Sequence, residues 1–195
     1  ETGEVAVGNQ LSAVSIGYDT PAGFVRATAT VEDGRVTRVA FENVPSFVFA
    51  DGVLPMQAPF GPHAFAVVFG GAFYVLVAAP DGLAVEPENI QELIDFGMTI
   101  KHMVEGLLEV VHPLEPDLHG IYGTIITGPP TAGADGRNVT IFADGEVDRS
   151  PCGTGTAARL ADLHATRALA LGQEYVHESI IGTRFTGRVL RTTRV

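Results

Sequence analysis

Cys152 is the only cysteine among 195 residues. It sits in Asp148-Arg-Ser-Pro-Cys-Gly-Thr-Gly-Thr156, which runs into the helix-forming stretch Ala157-Ala-Arg-Leu-Ala-Asp-Leu163. A helix start presents unpaired N–H groups and about half a positive charge. A thiol there is expected to ionise more readily than a free one. The same N–H groups can hold a carboxylate, and Gly153, Thr154 and Gly155 can aim successive N–H groups at one anion. Together these suit removal of the Cα proton from an amino acid. Negative charge then grows on the carboxylate as an enediolate-like species, where the Gly-Thr-Gly turn can stabilise it. The thiolate would serve as general base and the thiol as general acid in reverse. Asp148 could receive a substrate ammonium or merely cap the turn; its spacing leaves both open. A free cysteine can also be just a small buried hydrophobe.

Other chemistries fit less well. Gly153-Thr-Gly155 lacks the third glycine of a dinucleotide loop, since position 158 is Ala, and there is no Gly-Lys-Ser/Thr phosphate loop. The six histidines form no metal-binding pair on a helix and have no cysteine cluster beside them. A Cys–His hydrolase needs a base oriented by a third group, which the local sequence does not offer. His164 falls on the helix and reads as structural. His119, ahead of a strand, is the best candidate histidine for a site.

The elements that would position these groups follow from pattern. Leu11 to Gly17, Phe24 to Val31 and Arg35 to Phe41 read as strands, with Glu32-Asp33-Gly34 as a hairpin turn. Val44 to Phe47 begins another extended piece. Asp51-Gly52 and prolines 55, 59 and 62 mark a change of direction. Ala64 to Pro80 carries no charge but falls short of the roughly 20 residues of a membrane span. Gly70-Gly71 divides it into two strands. A helix is expected from Pro87 to Val111, its 3.6-residue apolar period interrupted by Lys101. Ile121 to Thr127 and Val139 to Phe142 read as strands. An alanine-rich, buried helix then runs from Cys152 to near Gly172, and strands at 175–181 and 185–190 follow. The order is α/β or α+β with mixed sheets.

The formal net charge of −11 and the absence of a basic run argue against nucleic-acid binding. A lone cysteine suits a reducing compartment, hence a cytoplasmic location. Asn138-Val-Thr140 matches a glycosylation sequon and reads as chance.

The cysteine motif resembles the second catalytic motif of the proline racemase family, which includes 4-hydroxyproline epimerases. Supporting pieces stand in the family's order. They are Asp19-Thr-Pro-Ala-Gly23, Asn43-Val-Pro-Ser-Phe47, Phe69-Gly-Gly71, Gly128-Pro-Pro130, Arg137-Asn138 and Ser179-Ile-Ile-Gly-Thr-Arg-Phe-Thr-Gly-Arg188. The resemblance implies a diaminopimelate-epimerase-like fold, two lobes each with a sheet wrapped around a central helix. It implies inversion at Cα without a cofactor, by two cysteines on opposite faces, with Cys152 the second. Gly153 and Thr154 match the carboxylate-binding N–H groups and Asp148 the residue that contacts the substrate nitrogen. His119 and Phe142 fall near pocket-lining positions.

Departures from the family pattern are informative. The first cysteine motif of the family would precede Glu1, and its C-terminal segment is missing, so the chain reads as a piece cut at both ends. Residues 1–50 would then be the remainder of the first lobe and 51–195 the second. Ala66 and Ala72 stand where the family usually carries an aspartate and an asparagine. The related trans-3-hydroxyproline dehydratases tend to carry threonine in place of the second cysteine, so Cys152 favours a racemase or epimerase. The expected partner is a small amino or imino acid, with no nucleic acid or membrane; a homodimer is compatible. The competing readings are a catalytically incomplete carboxylate-binding module and the dehydratase.

Overall fold

The computed structural model of the chain describes residues 13–55 and 60–194. The expected strand start at Leu11 and the proline at 59 lie outside them. The chain divides into two compact units between Val44 and Pro45.

The first unit is an antiparallel sheet of β1 (Ala13–Thr20), β2 (Gly23–Glu32) and β3 (Arg35–Glu42) in sequence order. Thr20 Oγ1 donates to Gly23 O at 2.7 Å across the first turn. Asp33 and Gly34 both adopt positive φ, 50° and 73°, as a two-residue hairpin turn requires. Tyr18, Phe24, Val39 and Phe41 are exposed on this sheet.

The second unit holds a mixed sheet in the order β11-β10-β8-β7-β6-β5-β4, with β9 paired to β8. Its strands are β4 (Phe47–Val53), β5 (Ala64–Phe69), β6 (Phe73–Ala78), β7 (Gly123–Gly128), β8 (Gly136–Phe142), β9 (Glu146–Asp148), β10 (Tyr175–Ser179) and β11 (Arg184–Gly187). The β6–β7 and β8–β10 pairs are parallel and the rest antiparallel. The charge-free run supplies two inner strands of this sheet, β5 and β6: Val67, Val68, Phe69, Tyr74 and Val75 are all buried. β4 runs through position 50 and pairs with β5, so it belongs wholly to this unit.

Two helices pack on the sheet. α1 (Ile90–Glu105) follows a 3-10 turn at Pro87–Asn89 and lies against β6, β7 and β8. It ends six residues before the expected Val111. Gly106 is a poor helix former, and Val111 pairs instead with His119 in an isolated bridge. Lys101, the interruption in its apolar period, donates from Nζ to Ala143 O at 2.9 Å. α2 (Gly153–Ala165) contacts β4 and β5 at one end of the sheet and β11 at the other, so the sheet curls around it. It stops at Ala165 rather than near Gly172. Thr166 Oγ1 donates back to Asp162 O at 2.9 Å, and Arg167 leaves the helical region with φ +62°. α2 buries one face, Gly155, Thr156, Ala158 and Leu160, rather than every side. β9 is too short for a pattern to announce it. The last strand ends at Gly187, and Leu190 is exposed beyond it.

Candidate active site

Cys152 is the N-cap of α2, with φ +66° and ψ +119°. A side chain in that region costs about 1–3 kcal/mol and persists only where its surroundings over-determine it. Here they do. The Cys152 N–H donates to Ser150 Oγ at 3.0 Å, and Cys152 O accepts the Thr156 N–H at 2.8 Å. On the preceding residue, Pro151 O accepts from Thr156 Oγ1 and Asn138 Nδ2, each at 3.3 Å. The strained backbone turns the sulfur over the helix start, where Sγ accepts the Gly155 N–H at 3.3 Å. A Cβ on Gly155 would stand 2.9 Å from Sγ, so this hydrogen bond needs glycine. The N–H groups of Gly153 and Thr154, in the first turn, have no carbonyl one turn earlier to meet.

β6 supplies a partner that sequence reading assigned only to an apolar strand. Tyr74 Oη lies 2.7 Å from Thr154 Oγ1 and 3.7 Å from Cys152 Sγ. A signal existed: a tyrosine inside a charge-free run still needs a partner for its hydroxyl. Tyr122 meets Tyr74 edge-on, centroids 5.8 Å apart, and stacks on Phe142 at 5.5 Å. An aromatic chain thus leads from the thiol to Phe142 at the end of β8.

Asp148 ends β9, and its Oδ1 accepts the Ser150 N–H at 2.8 Å, so it does cap the turn. It also stands close enough for its charge to act on the thiol. Cys152 belongs to a buried, mostly apolar cluster with Val68, Leu76, Ile125 and Ala158, and Ala66 and Ala72 pack against that cluster.

The expected easy ionisation of Cys152 is not what the structure shows. The residue is 7% exposed, and burial pushes its thiol above its ordinary range. The hydrogen bonds from Gly155, Tyr74 and Thr154 pull the other way, and the Asp148 charge adds to the rise. Desolvation outweighs the helix start, so resting Cys152 is a protonated thiol at neutral pH. Burial likewise holds Tyr74 protonated.

His119 is not part of this group. It is exposed, bridges Val111, and lines a hollow of about 450 Å³ with Glu105, Leu108 and Pro116. His164 is structural, with Nδ1 donating to Leu169 O at 3.0 Å. His177, which sequence reading did not single out, is fully buried on β10 under α2. Its Nδ1 lies 2.9 Å from Thr156 Oγ1. Burial holds this imidazole neutral, with its pKa down to about 4. Asn138 of the sequon is fully buried in β8. Among the described residues no group of three or more His, Cys, Asp or Glu side chains is placed to hold a metal ion. No helix there is long and apolar enough to cross a membrane.

A family model described as proline racemase matches residues 1–195. The trans-3-hydroxy-L-proline dehydratase of Bacillus cereus is 48% identical over 179 residues, 91% of this chain and 53% of that protein. The proline racemase of Clostridioides difficile is 39% identical over 179 residues, with the same two shares. Among solved structures, a hydroxyproline epimerase from Agrobacterium vitis, with bound trans-4-hydroxy-L-proline, superposes with a TM-score of 0.85. It is 36% identical and covers 92% of this chain and 53% of its own. The chain therefore spans about half the length of these relatives, which include racemases, epimerases and dehydratases, all of them enzymes. The sheet curled around α2, the thiol at its head and these similarities agree: the chain belongs to the proline racemase family.

Proposed function

We propose that this protein transfers protons at the Cα of proline or a hydroxyproline, racemising or epimerising it, with Cys152 as one of two acid–base groups. One observation carries the reading. The same helix start holds Sγ, through the Gly155 N–H at 3.3 Å, and offers the first-turn N–H groups of Gly153 and Thr154 to an anion. A substrate carboxylate seated there would bring its Cα beside the sulfur. Asp148 would meet the ring nitrogen with the carboxylate oxygen that the turn leaves over, and Phe142 would flank the ring. As a resting thiol, Cys152 would deliver a proton to the carbanion formed on the opposite face. The N–H groups would stabilise the enediolate-like charge between the two transfers. The reaction moves protons only and needs no cofactor.

A second reading is dehydration of trans-3-hydroxy-L-proline, losing the Cα proton and the C3 hydroxyl as water to leave a cyclic enamine, which becomes the imine when its N–H proton moves to C3. The 48% identity to the Bacillus cereus dehydratase favours it. The presence of a second-face thiol, which an elimination does not need, favours inversion. Incubation with L-proline, trans-4-hydroxy-L-proline and trans-3-hydroxy-L-proline in D2O separates them. The expected result is Cα deuteration with inversion of one of the first two, slowed about a hundredfold or more by Cys152→Ser. Inversion at an unchanged rate in that variant would sink the proposal. Water loss from the third substrate alone would establish the second reading.

A further inference from the structure

We propose that Tyr74 is a positioning residue for Cys152, its phenol clamped by Thr154 so that the hydroxyl sets both the direction and the ionisation of the sulfur. The inference deepens the reading of Cys152 as a proton-transfer group and rests on it. Tyr74 comes from an inner strand of the sheet, β6, and is 1% exposed. Its oxygen is fixed from one side by Thr154 Oγ1 at 2.7 Å and faces Sγ at 3.7 Å. Tyr122 closes its flank edge-on. A buried phenol so held has Thr154 Oγ1 and Cys152 Sγ as its hydroxyl partners, and with Thr154 as the donor its own proton goes to the sulfur.

With Thr154 donating to the phenol oxygen, the sulfur is left with two donors, the Gly155 N–H at 3.3 Å and the Tyr74 hydroxyl at 3.7 Å, and Thr154 Oγ1 stands 3.9 Å away. Both donors favour the thiolate. Against them stand the mostly apolar cluster, with Ala66 and Ala72 packed against it, and the charge of Asp148. In so dry a site, each hydrogen bond to the charged form weighs more than it would in water. Tyr74 is the donor among them that arrives from outside the α2 turn, so it ties the sulfur to the sheet as well as to the helix. A thiol that must give and retake a proton needs that balance, since burial alone would hold it permanently protonated. The titratable groups facing the sulfur are Tyr74 from β6 and Asp148 from β9, with Tyr122 behind Tyr74.

Because Cys152 is the only cysteine, alkylation by iodoacetamide, followed by intact mass, reads this thiol alone. The pH midpoint of the alkylation rate reports its ionisation without any turnover. Tyr74→Phe keeps the ring and removes the hydroxyl. The expected result is a midpoint moved upward, with alkylation below it slowed about three- to tenfold, while the circular dichroism spectrum is unchanged. A midpoint that stays or moves down in a folded Tyr74→Phe overturns the inference. Should that variant fail to fold, Thr154→Val removes the clamp, and a midpoint at or below that of the parent overturns it equally. Failure of the underlying reading is a separate outcome. Cys152→Ser would then invert substrate at the parent rate whatever the alkylation profile showed.

Discussion

Gly155 carries a conflict between local preference and site geometry. Inside a helix alanine is favoured over glycine by roughly 1 kcal/mol. Here a Cβ would meet Cys152 Sγ at 2.9 Å, Cys152 Cβ at 3.0 Å and Ile125 Cδ1 at 3.1 Å. Overpacking of this kind costs about 1–3 kcal/mol, so the loss outweighs the gain in helix propensity. Gly155→Ala is expected to lower the urea midpoint and to raise the pH midpoint of Cys152 alkylation, because Sγ must move off the N–H of residue 155. A variant more stable than the parent, with unchanged alkylation, would show that the sulfur does not depend on this approach. Much of the residue-level grouping at the candidate site was legible. Cys152, Asp148, Gly153 and Thr154 lie within seven positions, and one motif announces them. The charge state of the thiol was not, because desolvation by Val68, Leu76 and Ile125 comes from strands far away in sequence. Tyr74 was hidden for the same reason, being 78 residues from Cys152.

At the scale of elements, the Gly70-Gly71 turn between β5 and β6 touches the first turn of α2. A Cβ on Gly70 would collide with Thr154 O and stand 2.6 Å from Ala158 N. Both are helix backbone, which cannot give way as a side-chain tip would. Gly70→Ala is therefore expected to destabilise the second unit by about 3 kcal/mol, at the upper end of overpacking costs. It would also push the head of α2 away from Tyr74. Urea unfolding measures the first effect and Cys152 alkylation the second; a neutral substitution would mean that helix and hairpin are looser than described. Most strands could be read from pattern, α1 from its apolar period and α2 from its alanines, but β9 and the helix ends could not. The apolar repeat of α1 continues through Leu107, Leu108 and Val111 after the helix has stopped at Glu105. Leu107 is exposed and Val111 is spent on the bridge to His119. A repeat records which residues are apolar, not which of them meet a surface.

For the molecule as a whole, the unfolded chain sets the response to acid. His177 is fully buried, with Nδ1 against Thr156 Oγ1, Tyr175 tilted beside it and the Arg159 charge nearby. Burial chiefly, and Arg159 secondarily, hold its pKa down to about 4, against 6.5 for an ordinary histidine. Below pH 6.5 the unfolded chain binds a proton that the folded chain refuses. Stability is therefore intact above pH 6.5 and falls as pH drops toward about 4, with a slope approaching 1.4 kcal/mol per pH unit. The total, roughly 3 kcal/mol, is a large part of the 5–15 kcal/mol typical of a domain. Glu178, whose carboxylate is held low chiefly by the Thr131 hydroxyl, adds to the loss only below its ordinary value of 4.5. Asp162, pushed up by burial, acts in the opposite sense. Between pH 6.5 and 4.5 the buried imidazole therefore dominates these shifted groups. Urea unfolding across that range should show the midpoint of the parent protein falling steadily. His177→Gln cannot take up the proton in either state, so it should start lower at pH 7 and decline less steeply. Parallel declines in the two proteins would remove His177 as the cause.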